Sequence, residues 1–211
     1  MNFKINHSFL TFLTFFISLI FIGKAFYNLL NYGSDFETSY ILAKSFWNGI
    51  NVFTLEDKNP YYPHIWYVTL FPFIHLKFEI IKIIYFILNL FFFYGSIFIL
   101  KKKFHLNSIE TKILIIMSVT STPFTNLMAI GNLSLLALFF ILIYYFYSQI
   151  FLRALALTLA FVKYNISFFF LILPFLQKKK KIVFIFILIN IAAVFFYHYY
   201  LDISDPLKIF D

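Results

Sequence analysis

The chain has 211 residues, of which 62% are hydrophobic, 24% aromatic and only 12% charged, with a mean hydropathy of +0.87 and a formal net charge of +8. Soluble domains carry roughly 25% charged residues, so this composition excludes a soluble enzyme and leaves no stretch for a separate soluble catalytic domain. The bases cluster at Lys101–Lys103 and Lys178–Lys181, each beside an apolar run; that is the placement of juxtamembrane lysines facing anionic lipid, not of a nucleic-acid interface. No cysteine is present, which removes disulfides and thiol chemistry.

In chain order, residues 8 to 30 are apolar and long enough to cross a ~30 Å hydrocarbon core. No small-residue cleavage site follows a short apolar core, so the segment reads as an anchor and not a removed signal peptide. Residues 31 to 62 form the one long non-membrane stretch, and it holds Asp35, Glu37, Glu56 and Asp57, four of the nine carboxylates. Ser34 and Glu37 have the spacing of a capping box, and Gly49 is placed to end a helix in a left-handed turn. Phe36, Tyr40, Ala43 and Trp47 share one apolar stripe. The spacing predicts an amphipathic helix lying in the headgroup plane with its aromatic face down. Asp35 falls in its first turn.

Residues 63 to 76 are apolar but interrupted by Pro72, and at ~1.5 Å per residue they reach ~21 Å, short of a crossing. They predict a re-entrant or tilted half-helix, or a short crossing that turns at Lys77. Helices follow from about Ile80 to Leu100, over 109 to 127 with a break near Pro123, and from Leu133 to Ile150. Residues 151 to 176 carry Arg153, Lys163 and Pro174 in an otherwise apolar run, 182 to 200 form the last helix, and 201 to 211 a polar tail. The fold class expected is all-α, a multi-pass transmembrane bundle over residues 1 to 211 as a single membrane domain.

The acidic loop is expected to be extracytoplasmic, because it carries four acids to two lysines while 101 to 103 and 178 to 181 are wholly basic. Both lysine clusters are cytoplasmic only if residues 63 to 100 cross a net odd number of times and 109 to 176 a net even number. The second condition requires a broken or re-entrant pair in 151 to 176, or another segment that does not span. The expected location is a bacterial inner (plasma) membrane.

No P-loop, G-x-G-x-x-G, H-E-x-x-H or G-x-S-x-G occurs. The five histidines share no metal-ligand spacing, so no metal site and no cofactor is expected. Asp35 is the residue best placed for catalysis, although a carboxylate in a first helical turn also stabilises the helix by about 0.3 to 1 kcal/mol. Glu37 reads as a capping residue. Lys163 in mid-membrane is a functional-site candidate by its location; if the helix breaks near Asn165, it is an interfacial lysine. Asn132 lines a cavity or, with Gly131, only makes a turn. His64 at the membrane entry is an interfacial aromatic or a ligand.

The order of these features resembles the polyprenol-phosphate-mannose-dependent mannosyltransferases of the C-type glycosyltransferase superfamily. The residues that carry the resemblance are Asp35, Phe36, Tyr40, Ala43, Gly49, Tyr62 and Pro63. Gly131-Asn132-Leu133-Ser134 resembles the family's G-Q-x-N element, and Lys163-Tyr164-Asn165-Ile166 its K-x-x-P element. Asn132 stands for the family's Gln, Ser134 for its Asn, and Ile166 for its Pro. Family members are about twice as long, so the chain matches their amino-terminal half. It is expected to be part of a larger ancestral architecture, and to self-associate or pair with a second membrane subunit.

The resemblance implies transfer of a hexose, mannose above all, from a polyprenyl-phosphate donor to a lipid or glycan acceptor hydroxyl outside the cytoplasm. Asp35 would be the general base, and Lys163, Asn132, Tyr62, His64 and Tyr40 would bind substrate. The alternative from another class is a non-catalytic membrane protein: a truncated remnant, a scaffold or a transporter subunit.

Overall fold

The computed structural model describes residues 7–32, 34–55 and 62–201. The side chain of Ser34, the Glu56–Asp57 turn and the tail from residue 202 onward lie outside the described residues, as do the side chains of residues 164–166. Among the described residues every regular element is helical. Three helices are long and apolar enough to cross a membrane, and a fourth span results if one bent pair counts as one. This is a membrane protein.

Helix α1 spans His7–Tyr32 and hands directly to α2, Ser34–Trp47. Gly49, with φ of +80°, supplies the left-handed turn expected after α2. The aromatic stripe of α2 departs from expectation: Phe36, Tyr40, Ala43 and, beside them, Leu42 and Phe46 are buried under the protein's own helices instead of being left for lipid. Glu37, Lys44 and Asn48 keep the exposed face.

Residues 63 to 76 do not cross. They form α3, His64–Thr69, and a 3-10 turn, Phe71–Phe73, that begins next to Pro72. Helix α4 then runs over Phe78–Phe104 and stops at His105 in a left-handed conformation. Helices α5, Ser108–Thr120, and α6, Thr122–Ile130, meet at a 61° bend. Pro123 sits at the start of α6, where its missing N–H leaves no intrahelical bond unmade. Then come α7, Ser134–Phe146, α8, Ile150–Ala160, a 3-10 turn at Phe161–Lys163, α9, Tyr164–Leu176, and α10, Lys180–Tyr200.

Side-chain bonds fix the direction of each pass. At one end, His7 Nε2 meets Ser108 Oγ at 3.0 Å, joining the start of α1 to the start of α5. Lys103 lies over the rings of Phe146 and Tyr147 at the end of α7. Arg153 and Lys178–Lys181 line a common pocket there, at the start of α8 and the turn into α10. At the other end, α2 is bonded to Asn132 at the α6–α7 turn, and Tyr197 of α10 bonds Asn51.

The chain therefore runs toward the α2 end in α1, back in α4, out through α5 and α6, back in α7, out in α8, back in α9 and out in α10. Residues 63 to 100 run once between the two ends, and 109 to 176 start and finish at the lysine end, with α7, α8 and α9 each shorter than a spanning helix and the return broken at 161–163. The two lysine clusters lie at the same end of the bundle.

Candidate functional site

The α2 end is assembled by a close approach that only glycine permits. Helix α6 ends at Gly131 with φ of +71°, and a Cβ built there would lie 2.5 Å from the Cβ of Phe36 and 3.3 Å from Leu29 Cδ1. With no Cβ, the end of α6 seats directly on the first turn of α2. The next residue, Asn132, then reaches the residue before Phe36: Asn132 Nδ2 donates to Asp35 Oδ2 at 2.8 Å across 97 positions of sequence.

The amide's orientation is fixed by its other bonds. Asn132 Oδ1 accepts from the backbone N–H of Ser134 at 3.1 Å and from Ser134 Oγ at 2.6 Å. A backbone N–H can only donate, so the oxygen must face Ser134 and the NH₂ must face the carboxylate. Asp35 is half-buried and Asn132 nearly buried. The amide donor engages one carboxylate oxygen, Oδ2, and among the described residues no hydrogen bond is made to Oδ1 of Asp35.

Beside this pair is an apolar cavity of about 220 Å³. Phe36, Trp66, Tyr85, Leu136, Phe140 and Val162 are among its lining residues, and no charged side chain reaches it. Phe36 stacks on Tyr85 with ring centroids 4.1 Å apart. The cavity thus begins one residue from Asp35 and extends to Val162, one residue from Lys163.

Lys163 lies in the 3-10 break between α8 and α9, half-buried, and is not part of the Asp35–Asn132–Ser134 hydrogen-bonded group. The break fits its interfacial reading: the lysine stands at a helix boundary and not in the middle of a continuous span.

Tyr62 lies close enough to feel the carboxylate. Burial, and secondarily the Asp35 charge, push its phenol up to about 12, so it stays protonated and can serve as a hydrogen-bond donor. Tyr40 is turned to another task. Its hydroxyl donates to the carbonyls of Ile74 and Leu76 at 3.2 and 3.0 Å, tying α2 to the turn before α4.

His64 also lies away from the Asp35 group, on the α10 side. Its ring packs against Tyr197 edge-on at 4.6 Å and sits 6.2 Å from the ring of His198. Burial, with His198 adding to it, pushes the His64 imidazole down to about 4. Among the described residues, His64 Nε2 and both nitrogens of His198 have no hydrogen-bond partner. Tyr197 itself accepts from the N–H of Val52 at 3.0 Å and donates to Asn51 Oδ1 at 3.0 Å.

Of the residues expected at the site, the structure therefore joins Asp35 and Asn132, with Tyr62 near them, and puts Tyr40 and His64 elsewhere; Lys163 lies in the 3-10 break, outside the lining of the cavity. Ser134, which locks the amide, entered the sequence reading only as a member of the Gly131–Ser134 element, and Tyr85, which walls the cavity, carries no signal of its own in a chain with 15 Tyr. No group of three or more metal-ligating side chains occurs among the described residues. No family model matches the chain, and no curated protein or solved structure matches it.

Proposed function

We propose that the protein is a membrane glycosyltransferase that moves a hexose from a polyprenyl-phosphate carrier to an acceptor hydroxyl on the extracytoplasmic side. The observation that carries this reading is the Asp35 carboxylate, held on one oxygen by Asn132, with the next residue, Phe36, lining an apolar cavity. A lipid-borne sugar phosphate needs that combination: an apolar cleft for the first isoprene units, and a polar group where the chain meets its phosphate.

In the reaction, the acceptor oxygen attacks the anomeric carbon as the bond from that carbon to the phosphate oxygen breaks. The acceptor's proton passes to Oδ1 of Asp35, and the bonding electron pair leaves with the polyprenyl phosphate. The phenol of Tyr62, still protonated, donates to a sugar or acceptor oxygen. Lys163, which follows the cavity-lining Val162 in the chain, is proposed to offset the charge of the departing phosphate.

The test is transfer from a radiolabelled polyprenyl-phosphate hexose to membrane acceptors, with protein abundance measured alongside. Asp35→Asn keeps the side chain's size and its bond to the α6–α7 turn but removes the base, and is expected to lower turnover by about 10²- to 10⁴-fold. Wild-type transfer by this variant would overturn the catalytic assignment. No transfer by the native chain would leave the non-catalytic scaffold as the reading.

A further inference from the structure

The opposite end of the bundle holds a second concave site, and its chemistry is unrelated to the first. Arg153, in the second half-turn of α8, faces the turn that joins α9 to α10. Lys178, Lys179, Lys180 and Lys181 surround the same space, a cavity of about 360 Å³ in which no carboxylate appears. Arg153 is held in place and does not sweep through solvent: its Nε donates to the carbonyl of Tyr144 at 2.9 Å, and the guanidinium lies 4.7 Å from the centre of the Tyr144 ring. Tyr144 is itself fully buried. Lys178 adopts the left-handed conformation, with φ of 54°, a strained choice for a non-glycine residue, and it lets four consecutive lysines wrap the start of α10.

Crowding five like charges into one pocket is unfavourable until an anion enters. Desolvation first, and the charge of Arg153 second, push the Lys179 amine below its ordinary value. The starts of α8 and α10 both open on this space, and their unpaired N–H groups add to its positive potential.

Two apolar grooves lead away from the cationic pocket. One, of about 320 Å³, runs past Ile150, Phe184 and Ile185. The other, of about 430 Å³, runs past Phe175, Val183 and Ile187, with Phe184 as the ridge the two share. Lys180 borders both grooves as well as the pocket. The groove side chains Phe175, Phe184 and Ile187 are exposed.

We propose that this end binds one anionic diacyl phospholipid, its phosphate among Arg153 and Lys178–Lys181 and its two acyl chains along the grooves on either side of Phe184. A positively lined headgroup pocket continuous with a pair of apolar channels matches a two-chain amphiphile of negative charge. It does not match a soluble phosphate ester, which would leave both channels without an occupant, nor a zwitterionic lipid, whose ammonium group would face five cations. Basic pockets between membrane helices on the cytoplasmic side are a recurrent form of such recognition. The other lysine cluster, Lys101–Lys103, supplies the contrast within the same chain, with Lys103 resting over the rings of Phe146 and Tyr147.

The experiment uses the full chain in a neutral detergent and follows thermal unfolding on addition of phosphatidylglycerol, of phosphatidylcholine, and of inorganic phosphate at matched ionic strength. Ligand that binds only the folded protein raises Tm. Phosphatidylglycerol is expected to raise the Tm of the native chain by several degrees, and neither phosphatidylcholine nor inorganic phosphate to do so. The triple variant K179Q/K180Q/K181Q should lose most of that rise, while K101Q/K102Q/K103Q keeps it. The lysines leave Arg153 and its bond to Tyr144 untouched, so this variant tests the pocket without risking the core. Retention of phosphatidylglycerol by the native chain in native mass spectra, and its loss in K179Q/K180Q/K181Q, gives a second readout independent of stability. Equal loss in the two triple variants, or an equal rise with inorganic phosphate, would overturn the proposal in favour of surface charge or a bare anion site.

Discussion

The two ends of the bundle are held together in different ways. At the α2 end, single side chains connect segments far apart in sequence: Asn132 to Asp35, Tyr197 to Val52 and Asn51, and the hydroxyl of Tyr200 to the carbonyl of Trp47 at 2.7 Å. At the lysine end, most of the order is local. Asn107 and Glu110 form a reciprocal capping box, and His105 and Lys178 turn the chain in left-handed conformations. The long-range bonds there, His7 to Ser108 and Lys112 to Thr11, are exposed. A site that must hold a carboxylate at a defined place needs the first kind of construction, whereas a pocket that recognises charge can be built from neighbours in sequence.

The largest effect should come from Gly131. Gly131→Val puts a side chain where the backbone is left-handed and where Phe36 and Leu29 already stand. A residue with a Cβ in that conformation costs about 1 to 2 kcal/mol, and overpacking adds about 1 to 3 kcal/mol. The loss should appear in thermal unfolding, and the proposed transfer activity should fall with it because Asn132 moves away from Asp35. An unchanged Tm would mean that the α6–α2 contact is not what organises this end.

Acid should separate the two ends next. The His64 imidazole titrates at about 4 in the folded chain and at about 6.5 when unfolded. As pH falls, the unfolded chain takes up the proton first, so the stability that His64 contributes is complete above about pH 6.5 and is lost as pH drops from there toward 4. The full difference is up to about 3 kcal/mol. His64→Phe, which keeps an aromatic ring against Tyr197 and Phe53, should flatten the dependence of Tm on pH in that window. A slope unchanged by the substitution would assign the acid sensitivity to another group.

The lysine end was largely legible from sequence, and the α2 end only in part. Clusters such as Lys178–Lys181, a proline such as Pro123 and a turn glycine such as Gly49 act through local backbone geometry and charge, which a sequence displays directly. Charge parity pointed to a broken or re-entrant pair within 151 to 176 as one of two alternatives, and the helix is interrupted at 161–163. The pairing of Asp35 with Asn132 was reachable only because both residues belong to an ordered set of features resembling one family. Nothing in periodicity could have shown it, because the bond joins two turns across 97 residues. Nor could the fate of the aromatic stripe on α2 be read: a row of Phe, Tyr and Trp side chains looks the same whether lipid or another helix covers it, and here Phe46 stacks on Tyr197 at 4.6 Å. Tyr40 shows the same limit at a single residue, its hydroxyl being taken up by two carbonyls over thirty positions away.

The smallest effect tests the contrast most directly, because it compares two losses of similar chemistry at opposite ends. Asn107→Ala at the lysine end removes a side chain that accepts from the N–H groups of Ile109 and Glu110 at 2.9 and 3.0 Å. Those groups are exposed, so water replaces the lost acceptor, and the cost is that of a helix cap, about 1 kcal/mol. Tyr197→Phe at the α2 end removes a hydroxyl that accepts one bond and donates another, and the N–H of Val52 is buried and has no water to turn to. An unsatisfied buried donor costs about 1 to 3 kcal/mol. Beyond the difference in size, the two variants should differ in kind. Tyr197→Phe frees the segment around Asn51 from α10 and should speed hydrogen exchange at Val52 and Phe53, whereas Asn107→Ala should raise exchange only in the first turn of α5 and leave the proposed sugar transfer unaffected. Loss of transfer in Asn107→Ala would show that the two ends are coupled through the bundle, and the division between a site built at long range and a pocket built from neighbours would have to be abandoned.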